Sequence, residues 1–180
     1  MQQARPQILQ ALEKDLGKSM EEAYLSEYLM AMEELDYAIH QLPKWTRPKK
    51  KPTPYHQFPS KGEIHFRPYG RVAIAAPWNY PFLLAMAPTI GALGAGNRVV
   101  LKTSRKAPAT SQVIQDLLGQ VYDAQEVLVY GKDIQDRDRF LNEDMDFLFF
   151  TGSTKVGHKM AKLAGEKMIP CVLELGGKSP

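Results

Sequence analysis

From residue 71 onward the chain alternates short apolar runs with longer stretches of helical periodicity. The runs at 72–76, 99–101, 127–130 and 147–150 are unalternating and rich in β-forming side chains, which suits strands covered on both faces. Between them lie helical stretches at 82–95, 109–122, 134–141 and 154–165, and 171–175 reads as one further strand. Parallel neighbours need crossovers, and this alternation supplies them. The pattern predicts an α/β fold with a doubly wound, mostly parallel sheet over residues 71–180.

Residues 1–42 read differently, as an N-terminal helical arm. Ser19-Met20-Glu21-Glu22 has the form of a capping box. Beyond it Tyr24, Leu25, Tyr28, Leu29, Met32, Leu35 and Ile39 recur at helical spacing, with Glu21, Glu27, Glu33 and Glu34 on a polar face. Gly17 breaks this helix from the one before it. Such a stripe is a packing surface, so the arm is expected to lie on the domain behind it. Residues 43–70 form a connector. Pro43, Pro48, Pro52, Pro54 and Pro59 each remove a donor and bias the preceding residue away from helix. Residues 63–67 alternate and meet the turn Pro68-Tyr69-Gly70, a hairpin-like approach to the first buried strand.

Composition adds bounds. With 44% hydrophobic and 24% charged residues the chain matches an ordinary globular domain, and its 180 residues suffice for a core. No apolar run approaches the roughly 20 residues that span a bilayer, and the N-terminus lacks the apolar segment of a secretory signal. A single cysteine excludes an intramolecular disulfide framework and fits a cytoplasmic setting. Charge is uneven: residues 1–42 hold 3 basic and 8 acidic side chains, residues 43–71 hold 8 basic and 1 acidic. The basic run Arg47-Pro48-Lys49-Lys50-Lys51 is short, proline-broken and free of interleaved aromatics. It reads as a solvated linker rather than a nucleic-acid surface.

Open α/β sheets bind ligands at the carboxyl ends of their strands, and the unusual residues fall there. After the first strand, Pro77 and Pro81 stiffen a loop carrying Trp78 and Asn79. Asn79 is either an oxyanion donor or a cap for the next helix, with Trp78 in the core. After the second, Lys102 leaves the sheet where a phosphate or sugar could lie, and Ser104 or Thr110 could cap the helix after it. Gly131 ends the third strand and permits close backbone approach. After the fourth, Gly152-Ser153-Thr154-Lys155-Val156-Gly157 opens a helix whose positive end suits a pyrophosphate. The glycines of Gly91-Ala92-Leu93-Gly94-Ala95-Gly96 precede a strand and read as packing and turn residues. Glu174 ends an apolar strand, where partial desolvation would raise its pKa toward that of a general base; the alternative is a paired structural glutamate. Cys171, inside the same strand, reads as an inert buried thiol. His65 and His158 lack partner spacing, so no metal site is expected.

Taken in order, Pro77-Trp78-Asn79-Tyr80-Pro81, the segment 149–157 and Leu173-Glu174-Leu175-Gly176-Gly177-Lys178-Ser179-Pro180 resemble the first part of an aldehyde dehydrogenase of the class-3-like branch. The resemblance covers essentially the whole chain. It implies a Rossmann-like domain binding NAD or NADP, with Asn79 in the oxyanion hole and Glu174 as the base that activates water. Cofactor contacts are implied for Pro77, Trp78, Lys102, Ser104, Arg105, Gly131, Gly152, Ser153, Thr154, Val156 and Gly157. The family's nucleophilic cysteine lies well downstream of the glutamate, so the catalytic domain is absent here and the chain alone is expected to be inactive. In the complete enzyme the substrate is an aldehyde. The alternative is a noncatalytic module that pairs with a separate catalytic half or with another copy. Similar enzymes usually carry a glutamate where Arg105 stands, one that accepts from the adenosine ribose. Arginine has no acceptor, which tips the expectation toward NADP, with dual use.

Overall fold

The computed structural model describes residues 1–131, 133 and 135–177. The expected helix start at Ile134 and the final Lys178, Ser179 and Pro180 lie outside the described residues. Five strands, β3 (Arg71–Ala75), β4 (Arg98–Lys102), β5 (Val127–Tyr130), β6 (Phe147–Gly152) and β7 (Cys171–Leu175), form a wholly parallel sheet in the order β5-β4-β3-β6-β7. The connecting helices are α4 (Leu83–Gly94), α5 (Pro108–Gly119), α6 (Asp136–Asn142) and α7 (Thr154–Glu166). The strand order reverses between β3 and β6, and a crevice opens at such a switch point.

Alternation along the strands divides the core in two. Val72, Ile74, Val99 and Leu101 pack toward α4, α5 and the arm. Ala73, Ala75, Val100, Leu148 and Phe150 pack toward Phe140 of α6 and Met160 and Ala164 of α7. Ile74, Leu101 and Leu148 are fully buried, each stabilising the fold by about 1.5–3 kcal/mol relative to exposure.

The arm comprises α1 (Arg5–Leu16), α2 (Met20–Ala23), a π-helical turn (Tyr24–Tyr28) and α3 (Leu29–Trp45). Gly17 ends α1 with φ 68°, a left-handed cap that suits glycine, and Ser19 Oγ accepts from the Glu22 amide. Two readings of this region change. The π turn shifts the helical phase, so Glu27 is fully buried while Leu25 and Ile39 are exposed. The helix also runs past Pro43 to Trp45. Proline there removes one bond of the last turn, and the Thr46 amide and hydroxyl both donate to the Leu42 carbonyl beyond it.

The connector is also more structured than a purely extended chain. β1 (Lys49–Lys51) pairs antiparallel with β2 (Gly62–Ile64), so the hairpin closes backward onto the lysines rather than forward onto β3. At the other end β7 departs from expectation. It is an edge strand with only Leu173 half-buried, so Cys171 is exposed, not buried. α7 covers one of its faces and nothing among the described residues covers the other. No helix among the described residues is long and apolar enough to cross a membrane.

Candidate active site

A cleft of about 1010 Å³ opens at the carboxyl ends of β3, β6 and β7. It gathers Pro77, Trp78 and Asn79 from the β3 loop, Gly152, Ser153 and Val156 from the β6–α7 junction, and Glu174 from β7. Leu84, Ala87 and Pro88 of α4, with Phe149, supply an apolar wall. Lys102, Ser104, Arg105, Gly131, Thr154 and Gly157 do not line it.

The β3 loop is held from outside the sheet. α4 has Phe82 at its N-cap and no local side-chain cap. Its opening amides, Phe82 and Leu83, donate instead to Glu27 Oε2 at 2.8 and 3.3 Å. Asn79 is therefore not the helix cap, and its exposed side chain is left to the cleft. Trp78 is half-exposed rather than core, with Lys106 Nζ 5.2 Å from its ring centroid. That contact links the β3 and β4 loops.

The β4 loop is held in the same way. Neither Ser104 nor Thr110 caps α5. Ala109 and Thr110 amides donate to the two carboxylate oxygens of Asp15 at 3.1 and 2.7 Å. Ser104 Oγ accepts from the Lys106 amide, and the buried Thr110 hydroxyl has no partner among the described residues. Lys102 donates to the Thr103 carbonyl at 3.3 Å. Burial chiefly, then Arg105, lowers its pKa, while nearby Asp136 opposes the shift and Arg137 adds to it. Asp136 is itself buried and accepts from the amides of Gly131 and Asp133 at 2.8 and 2.9 Å. Arg105 is exposed.

Three glycines prove to be packing positions. The space a Cβ would occupy is filled by Thr103 Oγ1 at Gly131 and by Leu175 at Gly157, and at Gly152 the Phe150 ring lies 2.6 Å away. The backbone at the β6–α7 junction is nevertheless open. Ser153 is the N-cap, extended at φ −72°, ψ 147°, and its hydroxyl makes no bond to the helix. Its carbonyl accepts from the amides of Val156 and Gly157, so among the described residues the opening amides at Thr154 and Lys155 are left for an outside acceptor. The Thr154 hydroxyl donates to the Gly176 carbonyl at 3.3 Å, tying this junction to the end of β7.

Glu174 sits in register with Thr151, on the face of β7 opposite α7. It is exposed. The desolvation expected of it is not provided by these residues, because β7 is the edge of the sheet.

Residues 1–180 match the model of the Aldehyde dehydrogenase family along their whole length. The chain belongs to the aldehyde dehydrogenase family. Aldehyde dehydrogenase family 3 member H1 of Arabidopsis thaliana is 41% identical over 175 residues, 97% of this chain and 36% of that protein. The substrate-bound structure of Staphylococcus aureus AldH matches with a TM-score of 0.95 at 39% identity, covering 99% of this chain and 39% of the other. An indole-3-acetaldehyde dehydrogenase of P. syringae, solved in complex with NAD+, matches at 0.85 and 30% identity, covering 99% and 36%. The chain thus spans between 36% and 39% of the length of these relatives. The class-3-like branch and the Rossmann-like sheet are those expected from the motifs.

What sequence reasoning missed in this aldehyde dehydrogenase chain is the set of carboxylates that hold the loops: Asp15, Glu27 and Asp136. The only available signal was negative. Phe82 and Ala107 are poor N-caps, so α4 and α5 had to be capped from elsewhere.

Proposed function

We propose that this chain forms the dinucleotide side of an aldehyde dehydrogenase active site, working in the oxidation of an aldehyde to a carboxylic acid. The observation that carries the reading is the convergence of Asn79, Glu174, Ser153 and Val156 on one cleft at the switch point of the sheet, with Ser153 capping the open start of α7. The residues present fit a dinucleotide. The free amides at Thr154 and Lys155 suit the pyrophosphate, and Lys102 stands at the end of β4 with no donated bond beyond a neighbouring carbonyl among the described residues. The cleft volume is at the upper end of the range of about 300–1,000 Å³ typical of ligand pockets.

A nicotinamide held in this cleft would supply the hydride acceptor. The chain's own groups act on the oxygen and the water. Asn79 donates its side-chain N–H to the developing oxyanion, a class of contact whose removal typically costs about 2.7–4 kcal/mol in the barrier. Glu174 would take a proton from the water that attacks an acyl group carried on a nucleophile supplied from outside these residues, breaking the acyl–nucleophile bond and releasing the acid. That role calls for a cover over the exposed face of β7. A second reading, a noncatalytic module that pairs with a separate catalytic half, is favoured by the same open edge, where Val172 and Leu175 remain exposed.

Cofactor choice turns on Arg105. An exposed guanidinium flanked by Lys102 and Lys106 can donate paired bonds to a 2′-phosphate. Parallel titrations monitoring tryptophan fluorescence are expected to give tighter binding for NADP+ than for NAD+, with the preference reversed in Arg105→Glu. A parent chain that prefers NAD+, or an unchanged ratio in the variant, would remove Arg105 from 2′-phosphate recognition. Absence of binding to either cofactor would count against the dinucleotide site itself.

A further inference from the structure

Resting on the reading of Asn79 as oxyanion donor, the geometry points to Lys18 and Glu27 of the N-terminal arm as positioning residues for that donor. Lys18 Nζ lies 2.5 Å from Glu27 Oε1, and both residues are buried, Glu27 completely. Both carboxylate oxygens of the pair are engaged. Glu27 Oε1 meets Lys18, while Oε2 accepts from the amides of Phe82 and Leu83. The Lys18 ammonium donates to Glu27 and to the Asn79 carbonyl at 3.4 Å, and lies 4.1 Å from the Tyr80 ring centroid. A lysine has three donors, and here each has a target.

The consequence is local. Residues 79 to 83 are gripped at both ends by one ion pair: the main chain of Asn79 by Lys18, the start of α4 by Glu27. The Asn79 side chain makes no hydrogen bond to the described protein and lines the cleft. Its aim is therefore set by its backbone, and its backbone by the arm. A buried network with every member satisfied is rigid and specific, which is what a preorganised donor requires. Nothing in the sequence around Asn79 could fix it this way, because the pair lies 61 and 55 residues upstream of its contacts.

The test uses the 15N-labelled chain and two variants that keep the buried charges paired. Glu27→Asp retains the carboxylate beside Lys18 but is one methylene too short to serve both amides. Lys18→Arg retains a cation and several donors. In Glu27→Asp, exchange of the Phe82 and Leu83 amides is expected to rise about tenfold or more relative to Val100 in β4, as loss of a charge-assisted bond implies. The Asn79 side-chain amide signal should shift or broaden. Lys18→Arg should leave both readouts near the parent. If Glu27→Asp does not fold, the paired replacement Lys18→Met with Glu27→Leu removes both charges and the acceptor for the two amides, and is read the same way. Exchange rising equally at Val100, or an unmoved Asn79 signal, would reduce the pair to a general structural role and overturn the assignment. Cofactor titration of the same samples separates the two claims. A parent chain that binds no dinucleotide counts against the proposed function, whereas exchange and the Asn79 signal judge the positioning role alone.

Discussion

Purified alone, the chain is expected to produce no NAD(P)H from any aldehyde. Covalent oxidation requires a nucleophile within the cleft, and the residues lining it include no cysteine. Cys171 is exposed, but it begins β7 opposite Leu148 while Glu174 lies at the far end opposite Thr151. At about 3.3 Å per residue the two are roughly 10 Å apart along the strand. An odd spacing also sends their side chains to opposite faces. Cys171→Ala should therefore leave any background rate unchanged in a cofactor-absorbance assay. Robust aldehyde-dependent NAD(P)H formation that this variant abolishes would contradict the assignment.

Replacing Glu27 by alanine should produce the largest loss of stability. The substitution strands the Lys18 ammonium, 8% exposed, in the interior and removes the acceptor for two α4 amides. Breaking one side of a buried pair costs about 3–5 kcal/mol, against a total for such a domain of about 5–15 kcal/mol. Glu27→Ala should be partly or wholly unfolded in mild urea, where the parent is folded. A urea midpoint equal to the parent's would show that the pair contributes nothing net. The companion Lys18→Met with Glu27→Leu should recover much of the loss, since apolar replacement of a buried ion pair is often neutral.

These two expectations mark where the sequence was readable and where it was not. The sheet was legible because short unbroken apolar runs alternate with helical stretches; β3 and β4 are buried strands of that kind, and the edge strands β5 and β7 also fall at the expected residues. Asn79, Gly152 and Glu174 were legible as motifs because their chemistry is local to strand ends. Exposure of Cys171 and Glu174 was not, since an apolar run does not reveal whether its strand lies at an edge. The hairpin of β1 and β2 was missed because three consecutive lysines carry no strand pattern. Glu27 was assigned to a polar face because a π turn, which shifts that face, leaves no mark in a 3.6-residue periodicity. The three glycines also have packing roles that the sequence did not show. Gly131, Gly152 and Gly157 make room for Thr103, Phe150 and Leu175, contacts that depend on register and packing rather than on neighbours in sequence.

The central claim is that the open start of α7 receives the phosphates of a dinucleotide, and one substitution isolates it. Proline at the first helical position lacks only an amide that the helix does not use. The preceding residue must then be extended, and Ser153 already is, at φ −72°, ψ 147°. Thr154→Pro thus removes a single phosphate-facing donor without straining the fold, and Thr154→Ala controls for the lost hydroxyl. Calorimetric titration with NAD+ and NADP+ should show binding to the parent and to Thr154→Ala, and at least about tenfold weaker binding to Thr154→Pro, the loss expected for one hydrogen bond to a charged group. No binding to the parent, or equal affinity in a folded Thr154→Pro chain, would contradict the account.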